Sequence, residues 1–121
     1  MEGSDAVAAL AALAQDNRLE VFRLLVRSGA DGLAPGDISD RLEIPPATLS
    51  FHLAQLRHAR LVRVRRDGRS LIYTADYESM NGLMEFLTDQ CCAGAATCPV
   101  PLCDPDKATI VRRKARRTIR Q

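Results

Sequence analysis

Apolar residues recur at helical spacing over the first half of the chain, and this pattern predicts a series of amphipathic helices. The first is predicted from Ala6 to Ala14, and the small side chains on its apolar face would admit a close partner helix. That face consists of Val7, Leu10, Ala11 and Ala14. The next helix begins at Asp16 or Asn17, either of which can cap it, and ends near Ser28. Its predicted core stripe consists of Leu19, Phe22, Leu25 and Val26.

Two further helices are predicted around a tight turn. Asp37 is placed to cap a short helix that runs through Leu42. Pro45 and Pro46 then interrupt the helical pattern, while Pro46 itself suits the first turn of a new helix. The inward stripe of this new helix, here called the reading helix, consists of Leu49, Leu53 and Leu56. Two short helices joined in this way predict a helix-turn-helix.

Alternating apolar and basic residues follow the reading helix. Residues 61–65 and 70–74 are rich in β-forming side chains, and Asp67-Gly68 between them is a strong hairpin signal. A basic hairpin after a helix-turn-helix predicts a wing.

A last amphipathic helix is predicted from Asp76 or Tyr77 to Cys91. Its apolar stripe consists of Met80, Leu83, Met84 and Leu87. This stripe would stay exposed unless a second copy of the chain covers it; alternatively it packs on its own domain. The predicted fold is therefore mainly α with a small β-hairpin, a winged helix-turn-helix that forms a homodimer through its N- and C-terminal helices.

A chain of 121 residues is expected to form one domain with room for one or two sites. No stretch approaches the roughly 20 apolar residues of a membrane span, and the first residues lack a signal-peptide pattern, so a cytoplasmic protein without membrane contact is expected. We predict a DNA-binding and dimerisation domain in residues 1–92, a thiol-rich segment in residues 91–103 and a basic tail in residues 104–121.

The net charge of +2 conceals an uneven distribution, because seven of the seventeen basic residues lie from Lys107 onwards and all fifteen acidic ones lie before it. Within the acidic part, basic residues concentrate between the reading helix and its hairpin. They are Arg57, Arg60, Arg63, Arg65, Arg66 and Arg69. Such a patch is an electrostatic footprint for DNA phosphate, and a solvated surface is the alternative. The tail is either a short basic helix that touches flanking DNA or a solvated segment.

Three cysteines, Cys91, Cys92 and Cys98, are close enough in sequence to converge on one soft ion. In a reducing compartment, clustered thiols more often act as ligands or redox groups than as structural disulfides. Trivalent arsenic and antimony form three pyramidal bonds, so three thiolates satisfy them. Zinc or cadmium would need a fourth ligand, for which Cys103 is the candidate. Two alternatives stay open: a four-thiolate zinc or cadmium site, and a thiol redox sensor.

The helix-turn-helix and wing together resemble the ArsR (ArsR/SmtB) family of repressors. The resemblance is carried by Asp37-Ile38 through Leu42, Thr48-Leu49-Ser50-Phe51-His52-Leu53 with Leu56, Leu61-Val62, and Asp67-Gly68-Arg69 with Tyr73. It implies a homodimer that binds a palindromic operator when ligand-free and leaves it when a metal or metalloid binds. It implies no enzyme activity and no required cofactor.

This chain departs from the family pattern at two places. Arg60 stands where the family commonly has a glycine with positive φ at the end of the reading helix. The Cys-x-Cys-Asp site found near the reading helix of many arsenic and cadmium sensors is absent, since Pro35 and Gly36 precede Asp37. The arrangement Cys91-Cys92-x5-Cys98 instead resembles the C-terminal trithiolate site of another subgroup.

These observations predict a repressor of double-stranded operator DNA that releases it on binding arsenite or antimonite. The predicted DNA contacts on the reading helix are Thr48, Ser50, Phe51, His52 and Gln55, with a packing role as the alternative for His52. On the wing the predicted contacts are Arg65, Arg66 and Arg69.

Overall fold

Five helices and one hairpin make up the part of the chain that the structure, a computed structural model, describes, which is residues 1–89. The elements are α1 Gly3–Leu13, α2 Asp16–Ser28, α3 Pro35–Leu42, α4 Pro46–His58, β1 Val62–Asp67, β2 Ser70–Ala75 and α5 Tyr77–Leu87, with a short 3-10 turn at Gly29–Asp31. This mainly helical arrangement with a two-stranded antiparallel hairpin confirms the predicted winged helix-turn-helix. None of the helices within residues 1–89 combines the length and apolar character that a membrane crossing requires.

The core lies where α2, α3 and α4 meet beneath the hairpin. Its largest fully buried side chains are Val21, Leu25, Ile38, Leu49, Leu56 and Leu61. The predicted inward stripe of α4 is confirmed, since Leu49, Leu53 and Leu56 are all buried. The predicted stripe of α2 is wrong at Leu19, which is 41% exposed, because the helix turns Val21 and Leu24 inward instead.

Helix α1 has two faces of different character. Ala6, Ala9 and Ala12 are buried against the rest of the domain, where their small size permits close packing. The opposite face carries Val7, 66% exposed, and Leu10, also exposed. The side chains predicted to face a partner helix therefore point away from this domain.

Helix α3 begins three residues before its predicted start, since Ala34 and not Asp37 occupies the cap position. Pro35 occupies the first turn, where its missing N–H costs no hydrogen bond, and Ala34 precedes it in extended conformation. Asp37 accordingly lies inside the first turn and does not cap the helix. The following turn bends at Glu43, whose φ of +55° is left-handed, and α4 begins at Pro46 as predicted.

The hairpin is tighter than the sequence suggested. Asp67 pairs with Ser70, which leaves only Gly68 and Arg69 in the loop. Gly68 has a φ of +63°, and positive φ at this position of a hairpin favours glycine. A third backbone segment joins the wing at Leu33, which exchanges two hydrogen bonds with Tyr73 of 3.0 and 2.9 Å. The wing is therefore anchored to the loop that precedes α3.

Helix α5 ends at Leu87, four residues before its predicted end at Cys91. Leu83, the last residue of the unit Met1–Leu83, is buried. Met84 opens a second unit, of which residues 84–89 are described, and both Met84 and Leu87 are exposed. The predicted stripe is thus divided between a residue that packs on its own domain and residues that remain accessible.

Candidate nucleic-acid interface

The exposed surface of α4 carries most of the predicted reading residues. Phe51 follows Thr48 by three residues, and Gln55 follows it by seven. The three side chains therefore form one stripe along the helix, opposite the buried leucines. Phe51 is 57% exposed, an unusual position for a large apolar ring. Ser50 is also exposed but lies on the side of α4 that borders the hairpin. A helix with such a stripe is suited to the major groove.

His52 does not belong to this surface. Its side chain is only 6% exposed, and its ring meets that of Phe51 edge-on, with the centroids 5.9 Å apart. Burial, together with the charge of Arg18, lowers the pKa of His52 below its ordinary value. The Nδ1 atom has no hydrogen-bond partner among the described residues. The predicted DNA contact at His52 is therefore wrong and the packing alternative holds, because a residue three positions from Leu49 and four from Leu56 turns toward the core.

All three predicted wing arginines are exposed, but they differ in their hydrogen bonding. Arg66 and Arg69 are exposed and form no hydrogen bond or ion pair with any residue in the described part of the chain. Arg65 differs, since its guanidinium donates to the backbone oxygens of Ala30 at 2.8 Å and Asp31 at 2.9 Å. Arg65 thus links β1 to the 3-10 turn, and because its side chain is exposed, its predicted DNA contact stays a prediction.

Arg63 is likewise engaged within the domain. Its Nε donates to Oδ2 of Asp76 at 3.0 Å, and its Nη2 lies 3.5 Å from Oε2 of Glu78. The hydrogen bond to Asp76 raises the pKa of the Arg63 guanidinium. Of the six arginines in the predicted patch, Arg63 and Arg65 therefore form bonds that stabilise the fold. The four without such a partner among residues 1–89 are Arg57, Arg60, Arg66 and Arg69.

Helix α4 ends in a Schellman motif. The N–H of Leu61 donates to the oxygen of Leu56 at 3.0 Å, and that of Arg60 donates to the oxygen of Arg57 at 3.0 Å. Leu56 and Leu61 are both fully buried, which supplies the apolar contact typical of this motif. Arg60 has a φ of +63°, so an arginine occupies the left-handed position that usually holds glycine.

A cleft of about 680 Å³ separates the C-terminal half of α4 from the hairpin. It is lined by apolar residues, among them Leu53, Leu71 and Tyr73, and by the exposed arginines Arg57 and Arg60. Its lining residues are Pro35, Ser50, Leu53, Ala54, Arg57, His58, Arg60, Leu71 and Tyr73. No carboxylate is among them, so the cleft is open to an anion.

The predicted thiol ligands Cys91, Cys92, Cys98 and Cys103 lie outside the described residues, and so does the basic tail. Within residues 1–89 no three His, Cys, Asp or Glu side chains come together as a metal site. The two histidines of the chain, His52 and His58, both lie on α4.

Comparison with known proteins agrees with this geometry. Residues 13–65 match a family model described as a helix-turn-helix domain. The chain is 34% identical over 82 residues to the transcriptional activator HlyU of Vibrio cholerae serotype O1, a match that covers 68% of this chain and 73% of HlyU. The solved structure of HlyU from Vibrio cholerae N16961 has a TM-score of 0.58 at 34% identity, covering 73% of this chain and 95% of that one.

Two other solved structures share the fold. One is of a possible transcriptional regulator for arsenical resistance, with a TM-score of 0.57 at 26% identity, covering 65% of this chain and 79% of that one. The other is the homodimeric winged helix-turn-helix DNA-binding domain of Mb0332 from Mycobacterium bovis, with a TM-score of 0.57 at 24% identity, covering 72% of this chain and 81% of that one. The arrangement of helices and wing in this chain is therefore one that DNA-binding regulators use.

Proposed function

The chain belongs to the ArsR/SmtB family of winged helix-turn-helix transcriptional regulators, and from this premise we propose that it is a homodimeric repressor that releases its operator when trivalent arsenic or antimony binds Cys91, Cys92 and Cys98. Arsenite or antimonite is the inducer, and no other cofactor is needed.

The observation that carries the DNA-binding part is the alignment of two exposed elements. The stripe of Thr48, Phe51 and Gln55 on α4 supplies hydrogen-bonding and apolar groups suited to base edges. The wing beside it presents the guanidinium groups of Arg66 and Arg69, which have no partner within residues 1–89, for phosphates or the minor groove. Phosphate contacts fix the register of the protein on the duplex, and the stripe on α4 then selects the sequence.

Dimerisation is supported by apolar surface that is exposed within residues 1–89. Val7 and Leu10 are exposed on α1, and Met84 and Leu87 are exposed on α5. The Mb0332 domain, which shares the fold, is homodimeric. A two-fold dimer presents two reading helices, so the proposed operator is a palindrome with half-sites about one helical turn, or a multiple of it, apart.

The choice of inducer comes from the chemistry of the thiols. Three thiolates match the three pyramidal bonds of trivalent arsenic or antimony, whereas a tetrahedral zinc or cadmium site needs Cys103 as well. The neighbour described as a possible regulator for arsenical resistance adds support. HlyU is named an activator, and a reporter gene behind the selected operator distinguishes the two directions, since a repressor should lower its expression.

The test is operator release, followed by fluorescence anisotropy on a palindromic duplex selected by the protein from a randomised library. Arsenite, zinc, cadmium and peroxide are added in turn to wild type, Cys98→Ser and the matched control Cys103→Ser. We expect arsenite to weaken wild-type binding by about 5- to 150-fold, the usual range of allosteric coupling. Cys103→Ser should respond as wild type, and Cys98→Ser should stay bound.

Other outcomes separate the alternatives. Release by zinc or cadmium that Cys103→Ser abolishes would establish a four-thiolate site instead. Release by peroxide that a reducing agent reverses would establish a redox sensor. Failure of the wild type to select any duplex would refute the DNA-binding function itself.

A further inference from the structure

The backbone of Arg60 is strained, although its side chain makes no hydrogen bond or ion pair within residues 1–89. Its φ of +63° is one that L side chains rarely adopt, and glycine would accept it with less strain. The Schellman motif at this point needs only the backbone of Arg60, because the apolar contact is made by Leu56 and Leu61. The guanidinium is exposed and has no hydrogen-bond or ion-pair partner among residues 1–89. The side chain of Arg60 is therefore free to serve a ligand outside the domain.

The surroundings of Arg60 favour an anion. Arg57 and Arg60 both line the cleft between α4 and the hairpin, together with His58, and no carboxylate lines it. The hydroxyl of Ser50 lies along the same cleft as an additional donor. Two guanidinium groups that line one cleft can hold a phosphate through charge-assisted hydrogen bonds.

The length of α4 indicates which phosphate this is. A reading helix contacts base edges mainly through its N-terminal residues. With 13 residues, α4 is about 20 Å long at a rise of roughly 1.5 Å per residue, while the major groove is only about 12 Å wide. A reading helix that crosses the groove with its N-terminal residues on the bases therefore brings its C-terminal end to the sugar-phosphate backbone.

We propose that Arg60, together with Arg57, holds a backbone phosphate at the edge of each operator half-site, and that the strained arginine replaces glycine for this purpose. The proposal rests on the proposed function as a DNA-binding dimer. It adds a second phosphate anchor beside the wing, at the C-terminal end of the helix that reads the bases.

The test uses opposite effects of one substitution on stability and on binding. Arg60→Gly relieves the backbone and removes the charge, so we expect a higher melting temperature but a several-fold weaker operator complex at moderate salt. The slope of log affinity against log salt should become shallower by about 0.9 for each protomer. Arg60→Lys keeps both the strain and the charge and should retain most of the slope.

The matched control is Glu43→Gly, since Glu43 is the other non-glycine residue with positive φ in the described part of the chain. It ends α3 and carries no positive charge, so its replacement should raise the melting temperature without any loss of operator affinity. A purely structural effect of glycine would make the two variants behave alike.

Two results would overturn the proposal while the DNA-binding function stands. One is wild-type affinity and salt slope in Arg60→Gly, and the other is a lower melting temperature in that variant, which would mean that the arginine supports the fold. If the wild type itself binds no duplex at any salt concentration, the proposed function fails and this inference fails with it.

Discussion

Asp76 and Arg63 join the base of the wing to the start of α5, with Nε of Arg63 donating to Oδ2 of Asp76 over 3.0 Å. The other oxygen of Asp76 accepts the backbone N–H of Ser79 at 3.1 Å and so caps α5. The Asp76 side chain is 11% exposed, whereas that of Arg63 is 64% exposed. One carboxylate thus satisfies a helix end and orients the strand that leads into the wing.

Replacing Asp76 with Ala should therefore lower the free energy of unfolding by about 1 to 2 kcal/mol, since the cap and the ion pair are lost together. Arg63→Ala removes only the exposed partner of the pair and should cost less. Urea unfolding of both variants measures the difference. Equal losses would show that the cap contributes nothing.

Gly32 is required where the loop before α3 passes the wing. Its φ is +66°, and a Cβ at this position would clash with the backbone oxygen of Tyr73. Gly32→Ala should destabilise the protein by about 2 kcal/mol or more, because the new methyl group meets backbone in a left-handed conformation. Gly36→Ala is the control, since a Cβ there meets nothing within 4 Å and replaces glycine in a helix. Thermal unfolding should show a loss for the first variant and none for the second.

The elements of this fold were predictable because each depends on local signals. The leucine stripe of α4, the helix start at Pro46 and the hairpin around Gly68 follow from spacing and from the conformations that proline and glycine favour. The left-handed end of α4 was also predictable from the family pattern, although here an arginine adopts it. The ends of elements were predicted less well, since α3 begins at Pro35, before its predicted cap at Asp37, and α5 ends at Leu87, before its predicted end at Cys91.

The roles of long polar side chains were less predictable, because they depend on groups distant in sequence. Arg65 bonds to backbone oxygens 34 and 35 residues earlier, and nothing in the local sequence indicates this. His52 stands between apolar positions at the border of the inward face, so spacing alone did not decide which way it turns. The proposed ligands Cys91, Cys92 and Cys98 lie outside the described residues and stay a prediction.

The wing arginines should separate into two classes when each is replaced with Ala. Arg66→Ala and Arg69→Ala should weaken binding to all duplexes alike and make the salt slope shallower, because their guanidinium groups have no partner within residues 1–89. Arg65→Ala should instead lower the melting temperature, because it releases the bonds to Ala30 and Asp31. Anisotropy over a range of salt, with thermal unfolding alongside, measures both. A salt slope that stays unchanged in Arg66→Ala and Arg69→Ala would remove the wing from the DNA footprint.

The buried imidazole of His52 makes stability depend on pH in a defined direction. Burial and the nearby Arg18 hold the pKa of His52 in the folded protein below the ordinary value of about 6.5 that the unfolded chain has. As the pH falls through about 6.5, the unfolded chain binds a proton that the folded one does not. The free energy of unfolding therefore falls, by at most about 1.4 kcal/mol per pH unit, until the folded pKa is reached.

His52→Leu should remove this acid-dependent loss, because no imidazole remains to bind a proton in the unfolded chain. Because Nδ1 of His52 has no partner among the described residues, the substitution should cost little at pH 7.5. Urea unfolding at pH 7.5, 6.5 and 5.5, at one protein concentration, measures the effect. His58→Gln replaces the exposed histidine on the same helix and is the matched control. If His52→Leu loses as much stability as the wild type between pH 7.5 and 5.5, the acid sensitivity arises elsewhere in the chain.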